Sequence, residues 1–214
     1  MNLLFDLGHV LVDIDPKRSL QAFAQLLDKN KQDSRQAASS LITADALLGG
    51  HDSKLIDLYQ VGQITTDQFL STALQVCRPD TTKEQLLDAW FAMLLPFRPD
   101  KALLLRQLHQ AGIPFYILSN INDTHAAWVR HNCPELSLAA AQFFSNEIHI
   151  AKPAPEAFQY VIDHTGINPS DTLYIDDLTP NLEVGRRFGF RCLQAATDSA
   201  WMPVVQEIIE KGRK

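Results

Sequence analysis

Residues that could take part in catalysis stand at separate places along the chain, and most of them directly follow an apolar stretch. Asp6 ends the stretch at residues 2–5, Ser119 ends the stretch at 114–118, and an acid pair ends the stretch at 172–175. The full set is Asp6, Ser119 with Asn120, Lys152, and Asp176 with Asp177. The carboxyl ends of parallel strands meet at one edge of a sheet, where open α/β sheets bind ligands. The order of these residues therefore predicts a single site.

The chemistry that these side chains suit is phosphoryl transfer. The Asp6 carboxylate can attack phosphorus and form an aspartyl-phosphate that water later hydrolyses, which divides one difficult step into two. Because a phosphate ester is itself anionic, the attack needs nearby cations and hydrogen-bond donors, and Lys152, Ser119 and the backbone around Asn120 could supply them. The adjacent acid pair suits Mg²⁺, which binds one or two carboxylates together with water and phosphate oxygens. We therefore predict Mg²⁺ as the cofactor.

The composition is that of an ordinary globular protein, and it argues against two classes of partner. Apolar residues make up 46% of the 214-residue chain and charged residues 21%. The formal net charge of −6 repels nucleic-acid phosphates and anionic lipids, so we expect no nucleic-acid or membrane partner. The first residues lack the cationic stretch of a signal peptide, which favours a cytoplasmic location. Nothing in the sequence indicates an oligomeric state.

Helical periodicity dominates the segment from about residue 16 to residue 95. Leu20, Phe23, Ala24 and Leu27 recur at the i, i+3, i+4, i+7 spacing of one helix face, and two later sets do the same. Three helix starts are marked by capping patterns, namely Asp15 before Pro16, Thr65 with Gln68, and Thr81 with Glu84. This segment is predicted to be an all-helical insertion.

After Pro99 the pattern changes to helices that alternate with short apolar strands, which is typical of a parallel sheet covered by helices. The predicted fold is therefore α/β, with a Rossmann-like parallel sheet flanked by helices and an inserted all-helical cap domain. Because the first strand precedes the insertion, the core domain is discontinuous and consists of residues 1–14 and 96–214. The cap domain, residues 15–95, would lie over the strand ends.

Four segments resemble, in order, the motifs of the haloacid dehalogenase-like (HAD) hydrolase superfamily. They are FDLGHVLVDID, ILSNIND, AKPAPEAF and YIDDLTPNLEVGRRFG, and the cap lies between the first two. The resemblance is greatest to the branch with a small helical cap and a paired-acid fourth motif. Within that branch, the first segment and the cap segment YQVGQIT are similar to bacterial glucose-1-phosphatase-like members.

The resemblance implies a role for each residue that contacts the phosphoryl group. Asp6 would be the nucleophile, and Ser119 and Lys152 would complete the catalytic set by binding the phosphoryl oxygens. Asn120, next to the serine, would add to phosphate binding. All of these residues match the motifs at their expected positions.

The resemblance also implies a set of groups around the metal. Asp6 and Asp177 would bind Mg²⁺ directly, and Asp176 would act through a water molecule. The main-chain carbonyl of Gly8 would complete the metal site, which requires no side chain. Asn181 matches the asparagine of the fourth motif and would support the loop.

Gly8 departs from the pattern of the family's phosphatases, in which this position is usually an aspartate that protonates the leaving oxygen. General acid–base help is worth about 10² to 10⁴ in rate. Three explanations remain open: the substrate has a good leaving group, as a sugar 1-phosphate does, or the neighbouring His9 acts as the acid and base, or turnover is slow.

Two other functions fit part of the sequence. A metal-independent 2-haloacid dehalogenase would tolerate Gly8, but the acid pair would repel an anionic haloacid. A non-catalytic module that binds a sugar phosphate would also tolerate Gly8, although it would have no need of all four motifs. A receiver domain is excluded because its acid pair comes first in the chain. We therefore predict an Mg²⁺-dependent phosphatase that acts on a small phosphorylated metabolite, such as a sugar 1-phosphate.

Overall fold

The computed structural model describes residues 1–28 and 54–212. A parallel sheet forms its centre, and its strands are β1 (Asn2–Phe5), β2 (Phe115–Ser119), β3 (Ala141–Phe144), β4 (Thr172–Asp176) and β5 (Arg191–Gln194). Across the sheet the order is β3-β2-β1-β4-β5. The first strand of the chain thus lies in the middle, with β2 on one side and β4 on the other.

Strand β1 is buried on both faces of the sheet. Successive side chains of a strand point to opposite faces. Accordingly, Leu3 and Phe5 pack into the core on one face while Leu4 packs into the core on the other, and all three are fully buried. Burial on both sides explains why the stretch is continuously apolar rather than alternating.

Ten α-helices occur in the described part of the chain. They are α1 (Pro16–Leu26), α2 (Lys54–Gln60), α3 (Thr66–Leu74), α4 (Lys83–Phe91), α5 (Pro99–Gln110), α6 (Asp123–Asn132), α7 (Ser145–Ile148), α8 (Pro155–Thr165), α9 (Thr179–Arg187) and α10 (Asp198–Gly212). Helices α5, α6 and α10 cover the face of the sheet that holds Leu3 and Phe5. Helices α8 and α9 cover the opposite face. The result is a three-layer α/β arrangement.

Helices α1 to α4, which we call the cap helices, form a separate hydrophobic cluster. Its centre is aromatic, because the Phe69 ring packs against both Tyr59 and Trp90, with ring centroids 4.5 Å and 5.0 Å away. Burying large aromatic side chains is worth roughly 1.5–3 kcal/mol each, so this small bundle has a core of its own.

The predicted helix starts in this segment are correct in two cases and displaced in the third. Asp15 accepts a hydrogen bond from the Lys17 amide ahead of Pro16, and Thr65 and Gln68 form a capping box. For α4 the prediction of Thr81 with Glu84 is wrong by one residue, because Thr82 and Gln85 form the box. Either threonine has a Glu or Gln three residues later, so the sequence pattern alone allows both starts.

Two short linkers connect the cap helices to the sheet, and they pair with each other. The Asp15 amide donates to the Met93 carbonyl at 2.8 Å, and the Leu95 amide donates to the Asp13 carbonyl at 3.1 Å. Between them Ile14 and Leu94 form an isolated antiparallel bridge. The two crossings between the cap helices and the sheet therefore run side by side.

The prediction of an α/β fold with a parallel sheet and flanking helices is confirmed. The division into a core (1–14, 96–214) and a cap (15–95) stays a prediction, and part of that cap, residues 29–53, lies outside the described residues. No helix in the described ranges is long and apolar enough to cross a membrane.

Candidate active site

The topology brings the predicted site residues to one edge of the sheet. Asp6 directly follows β1, Ser119 ends β2 and Asp176 ends β4, and these three strands are adjacent. The register fixes their level, because Phe5 pairs with both Ile117 and Ile175. Side chains that are far apart in sequence therefore converge at the carboxyl end of the central strands, as expected for an open parallel sheet.

A buried lysine joins the carboxylates of two of these strands. Lys152 Nζ lies 2.8 Å from Asp6 Oδ1 and 2.7 Å from Asp176 Oδ2, and its side chain is only 2% exposed. The loop that carries Lys152 is held by Asn120, whose side chain donates to the Lys152 carbonyl and accepts from the Lys152 amide, both at 2.7 Å. Asn120 therefore positions the lysine. Its contact with phosphate stays a prediction.

Asp176 is fully buried, and the surrounding protein satisfies its oxygens. In addition to Lys152, it accepts hydrogen bonds from the Tyr174 hydroxyl, from Asn181 Nδ2 at 3.0 and 3.1 Å, and from the Leu178 amide at 2.8 Å. This arrangement suits a residue that orients the lysine and the following loop better than one that binds a metal directly.

Asp6, Asp176 and Asp177 form a cluster in which one oxygen of each lies within 4.8 Å of the others. The pKa of Asp6 is raised to about 7, because burial and the neighbouring acids Asp176 and Asp177 together outweigh the lowering effect of Lys152. Burial and Asp176 likewise raise the pKa of Asp177. The pKa of Asp176 is lowered despite burial, because Lys152, Tyr174 and Asn181 stabilise its charge.

This group of side chains carries more negative than positive charge. Three carboxylates face one lysine, whose pKa is raised because Asp176 and Asp6 together outweigh the effect of burial. Two of the acids hold protons more tightly than free carboxylic acids do, and a divalent cation would remove this preference. An all-oxygen donor set of this kind fits a hard ion such as Mg²⁺.

The site opens into a cavity of about 720 Å³ between the sheet edge and the cap helices. Polar residues at the sheet edge form one end of it, namely Asp6, Gly8, His9, Ser119, Asn120, Lys152, Asp177 and Asn181. The cap helices and linkers contribute mainly apolar side chains, including Ile14, Ile56, Trp90, Met93 and Leu94. One end can thus hold a charged group, and the other surrounds what is attached to it.

Gly8 and His9 both lie on the cavity wall, in the turn after Asp6. His9 has a left-handed backbone (φ 57°), and its amide donates to the Val12 carbonyl at 2.9 Å. A Cβ added at Gly8 would meet Ile14 Cδ1 at 3.4 Å, an ordinary contact. Space does not explain the absence of a side chain at Gly8.

Tyr174 contacts the candidate site, although the sequence did not predict it there. Its hydroxyl reaches Asp176 across one intervening residue, because residues two apart in a strand point to the same face. This spacing could have identified it. Helix α9 packs closely over its ring at Gly185, where a Cβ would come within 2.8 Å of Tyr174 Cδ1.

A sequence model described as a haloacid dehalogenase-like hydrolase matches residues 2–189. D-ribitol-5-phosphate phosphatase of Bacteroides thetaiotaomicron is 28% identical over 212 residues, which cover 94% of this chain and 94% of that protein. (S)-2-haloacid dehalogenase 4A of Burkholderia cepacia is 26% identical over 132 residues, which cover 60% of this chain and 56% of that protein.

The same similarity extends to solved structures. A HAD family enzyme of Bacteroides thetaiotaomicron, crystallised as the wild-type protein in complex with magnesium and inorganic phosphate, superposes with a TM-score of 0.73. The identity is 28%, and the match covers 90% of this chain and 92% of that one. Since the sequence match spans most of the chain and the fold agrees with it, this protein belongs to the haloacid dehalogenase-like hydrolase family.

Proposed function

We propose that this hydrolase is an Mg²⁺-dependent phosphatase that acts on a small polyol or sugar phosphate. The observation that carries the proposal is the cluster of Asp6, Asp176, Asp177 and Lys152 at the end of the cavity. An anionic haloacid would meet three carboxylates and one lysine there, which disfavours the dehalogenase alternative. The similarity to a D-ribitol-5-phosphate phosphatase supports the class of substrate.

In the proposed reaction, an oxygen of Asp6 attacks phosphorus while the bond from phosphorus to the alcohol oxygen breaks. The electron pair stays with the alcohol oxygen, which takes up a proton. Water then attacks the aspartyl-phosphate, releasing inorganic phosphate and restoring the Asp6 carboxylate. Lys152 offsets the charge on Asp6 and on the phosphoryl oxygens, and the Ser119 hydroxyl donates to one of those oxygens.

Bound Mg²⁺ would neutralise part of the charge that builds up on the phosphoryl oxygens. Asp6, Asp177 and the Gly8 carbonyl are the proposed ligands. For Asp176 we propose a supporting role, because the protein already occupies its oxygens. Asn181 donates to this residue, and the resemblance implies that it also supports the loop of the fourth motif. Two further features, the cytoplasmic location and the role of His9 as acid and base, stay predictions.

A phosphate-release screen tests the proposal. We would assay ribitol 5-phosphate, hexose 1-phosphates and nucleotides with Mg²⁺, with EDTA, and with EDTA followed by excess Mg²⁺. We expect release from polyol or sugar phosphates that stops with EDTA and returns with Mg²⁺. Asp6→Asn should lower the rate by about 10⁴ or more, as removal of a nucleophile does.

Asp15→Asn is the matched control for that variant. It makes the same chemical change in the same segment, but at a helix N-cap where asparagine works equally well. Its activity should equal that of the wild type. Chloride release from chloroacetate that EDTA does not affect would instead identify a dehalogenase. Tight binding of sugar phosphates without any turnover would identify the non-catalytic module.

A further inference from the structure

Asn122 is a buried amide whose orientation is fixed by the helix that follows it. It is the N-cap of α6, and its Oδ1 accepts hydrogen bonds from the His125 amide at 3.0 Å and the Thr124 hydroxyl at 2.7 Å. The indole nitrogen of Trp90, on a cap helix, lies 3.5 Å from the same oxygen. A backbone amide and an indole can only donate, so the oxygen and the nitrogen of Asn122 are unambiguously placed.

The nitrogen of this amide has no hydrogen-bond partner among residues 1–28 and 54–212. Asn122 is 1% exposed, and its Nδ2 donates to no atom of the described residues. In the described ranges, two side-chain polar atoms are fully enclosed and lack a hydrogen-bond partner, namely Asn146 Oδ1 and Trp201 Nε1. Asn122 Nδ2 is not one of them, so it is not fully enclosed. Nδ2 therefore opens on the cavity that Asn122 lines. A buried donor left in this state favours a ligand that offers it an acceptor.

A second amide, that of Gln60, lies nearby on the cap side of the same cavity. Ser145 connects the two: its hydroxyl donates to the Gln60 carbonyl at 2.6 Å and accepts from the amide of Ile121, the neighbour of Asn122, at 2.9 Å. The backbone of Gln60 is thereby held against the core. Its side-chain amide makes no hydrogen bond with the described residues.

The turn after Gln60 keeps this contact in place. Gly62 has a left-handed backbone (φ 67°), and a Cβ there would come within 2.5 Å of the Asn146 carbonyl oxygen. Nδ1 of His149 lies 2.9 Å from the Val61 carbonyl. The segment YQVGQIT, which the sequence analysis singled out, thus docks on α7 and holds Gln60 at the cavity wall.

We propose that Asn122 and Gln60 bind hydroxyl groups of the alcohol part of the substrate, an inference that rests on the proposed phosphatase function. A neutral amide both donates and accepts, as a hydroxyl does, and it adds no charge beside the phosphate. The phosphoryl group has its own partners at the sheet edge, whereas Asn122 contacts the cap residue Trp90 on the side where the alcohol must lie. Apolar walls such as Ile56 and Met93 suit the carbon chain between hydroxyls.

The test compares two esters, ribitol 5-phosphate and n-pentyl phosphate, which have carbon chains of the same length with and without hydroxyls. The measured quantity is the ratio of their kcat/KM values. Asn122→Ser keeps a good helix cap but loses the amide nitrogen. We expect this variant to lower the ratio by roughly three- to tenfold, as the loss of one neutral hydrogen bond does. Asn122→Asp, which keeps the shape and the cap, should lower it as well.

Gln60→Leu tests the second amide while keeping a side chain of similar length. Its control is Gln63→Leu, three residues away on an exposed position outside the cavity wall. We expect Gln60→Leu to lower the ratio and Gln63→Leu to leave it unchanged. Because Gln60 caps no helix, this pair carries the test if Asn122→Ser fails to fold.

The possible outcomes separate this inference from the function on which it rests. If the wild type with Mg²⁺ releases phosphate from none of the esters in the screen, or if Asp6→Asn hydrolyses them equally well, the phosphatase proposal fails and the inference fails with it. If the wild type is active but the variants slow both esters equally, the amides have a structural role only and the inference alone is overturned. A ratio that falls only in Asn122 and Gln60 variants supports it.

Discussion

Two buried lysines, Lys152 and Lys101, each lie between two carboxylates, but their surroundings differ. Lys101 Nζ lies 2.5 Å from Asp13 Oδ1 and 3.2 Å from Asp198 Oδ1. Arg98 contacts both of these aspartates, so two cations share them. At Lys152 the balance is reversed, because one cation serves three acids. We call these groups the Lys152 cluster and the Lys101 cluster.

The two clusters also differ in their access to the cavity. Three members of the Lys152 cluster line the cavity, whereas no described member of the Lys101 cluster does. The pKa of Asp6 is raised to about 7, chiefly by burial, whereas that of Asp198 is lowered because Lys101 and Arg98 outweigh its burial. In the Lys152 cluster, negative charge is in excess and faces the cavity, which suits these residues to chemistry. The residues of the Lys101 cluster do not line the cavity, and both Lys101 and Arg98 pair with its two aspartates, so these residues serve cohesion.

The largest expected effect comes from replacing each lysine by methionine. Lys152→Met should lower kcat by about 10² to 10³, because a cation at the reacting phosphoryl group is lost. Lys101→Met should leave kcat within about threefold of the wild type and lower the free energy of unfolding by roughly 1–3 kcal/mol, since Arg98 still contacts both aspartates. Steady-state kinetics and urea unfolding would measure both. Equal losses of activity in the two variants would contradict the contrast between the clusters.

The next effect concerns the acid that the Lys152 cluster lacks. Gly8→Asp should raise kcat for alkyl phosphates by about 10- to 100-fold, because a general acid would then protonate the leaving oxygen. The Cβ of the new side chain would make only an ordinary contact with Ile14. Gly8→Asn, with the same shape but no proton to give, is the control. A gain in both variants, or in neither, would show that leaving-group protonation does not limit the reaction.

A comparable effect is expected at His9, the residue predicted to replace that acid. If it protonates the leaving oxygen, His9→Gln should slow hydrolysis of alkyl phosphates by about 10²-fold, the lower end of what general acid help contributes. p-Nitrophenyl phosphate should be unaffected, because its leaving group departs without a proton. Phosphate release from the two esters measures the difference. An equal effect on both would remove His9 from the mechanism.

The smallest expected effect is on stability, and it has opposite signs in the two clusters. A folded-state pKa raised above the ordinary value, as for Asp6, makes stability fall as pH rises toward 7. A lowered pKa, as for Asp198, stabilises the fold at neutral pH, and this contribution is lost as pH falls through the acid range.

In EDTA at pH 8, Asp6→Asn should therefore raise the Tm and Asp198→Asn should lower it. Each shift should be a few degrees, since about 1 kcal/mol moves the Tm of a chain of this size by roughly 2–4 °C. Differential scanning calorimetry at pH 5 and pH 8 would measure the changes. The gain from Asp6→Asn should be smaller at pH 5, where that carboxyl is already protonated. Shifts of the same sign would contradict the comparison.

Much of the fold follows from local patterns in the sequence. The apolar stretches before Asp6, Ser119 and Asp176 correspond to β1, β2 and β4, the three central strands, because strands buried on both faces are continuously apolar. The edge strands β3 and β5 escaped prediction. In β5, for example, Arg191 and Gln194 are exposed, so an edge strand lacks the continuous apolar stretch.

The candidate site was predicted only at the level of residues that carry the chemistry. Asp6, Asp176 and Asp177 lie together because β1 and β4 are neighbours in the sheet, whereas Lys152 reaches them from a loop. Their catalytic and metal-binding roles stay predictions. The positioning residues could not be found in the same way. Asn120, for instance, supports Lys152 by a contact over 32 residues that no local spacing encodes. From the sequence, Asn122 can be predicted only as a helix cap, because its place on the cavity wall depends on the tertiary structure.

The paired linkers at Ile14 and Leu94 restrict how substrate can enter and product can leave. Two crossings that are hydrogen-bonded to each other would resist twisting, so we expect any movement of the cap helices relative to the sheet to be a rotation about one axis, through the linkers. That axis passes through the cavity wall, because Ile14 and Leu94 both line it. A substrate alcohol bulky enough to press on these two side chains would keep the cap helices from closing fully over the cavity, and water could then enter. The linkers at Ile14 and Leu94 would thereby also limit the width of the alcohol that the enzyme can accept.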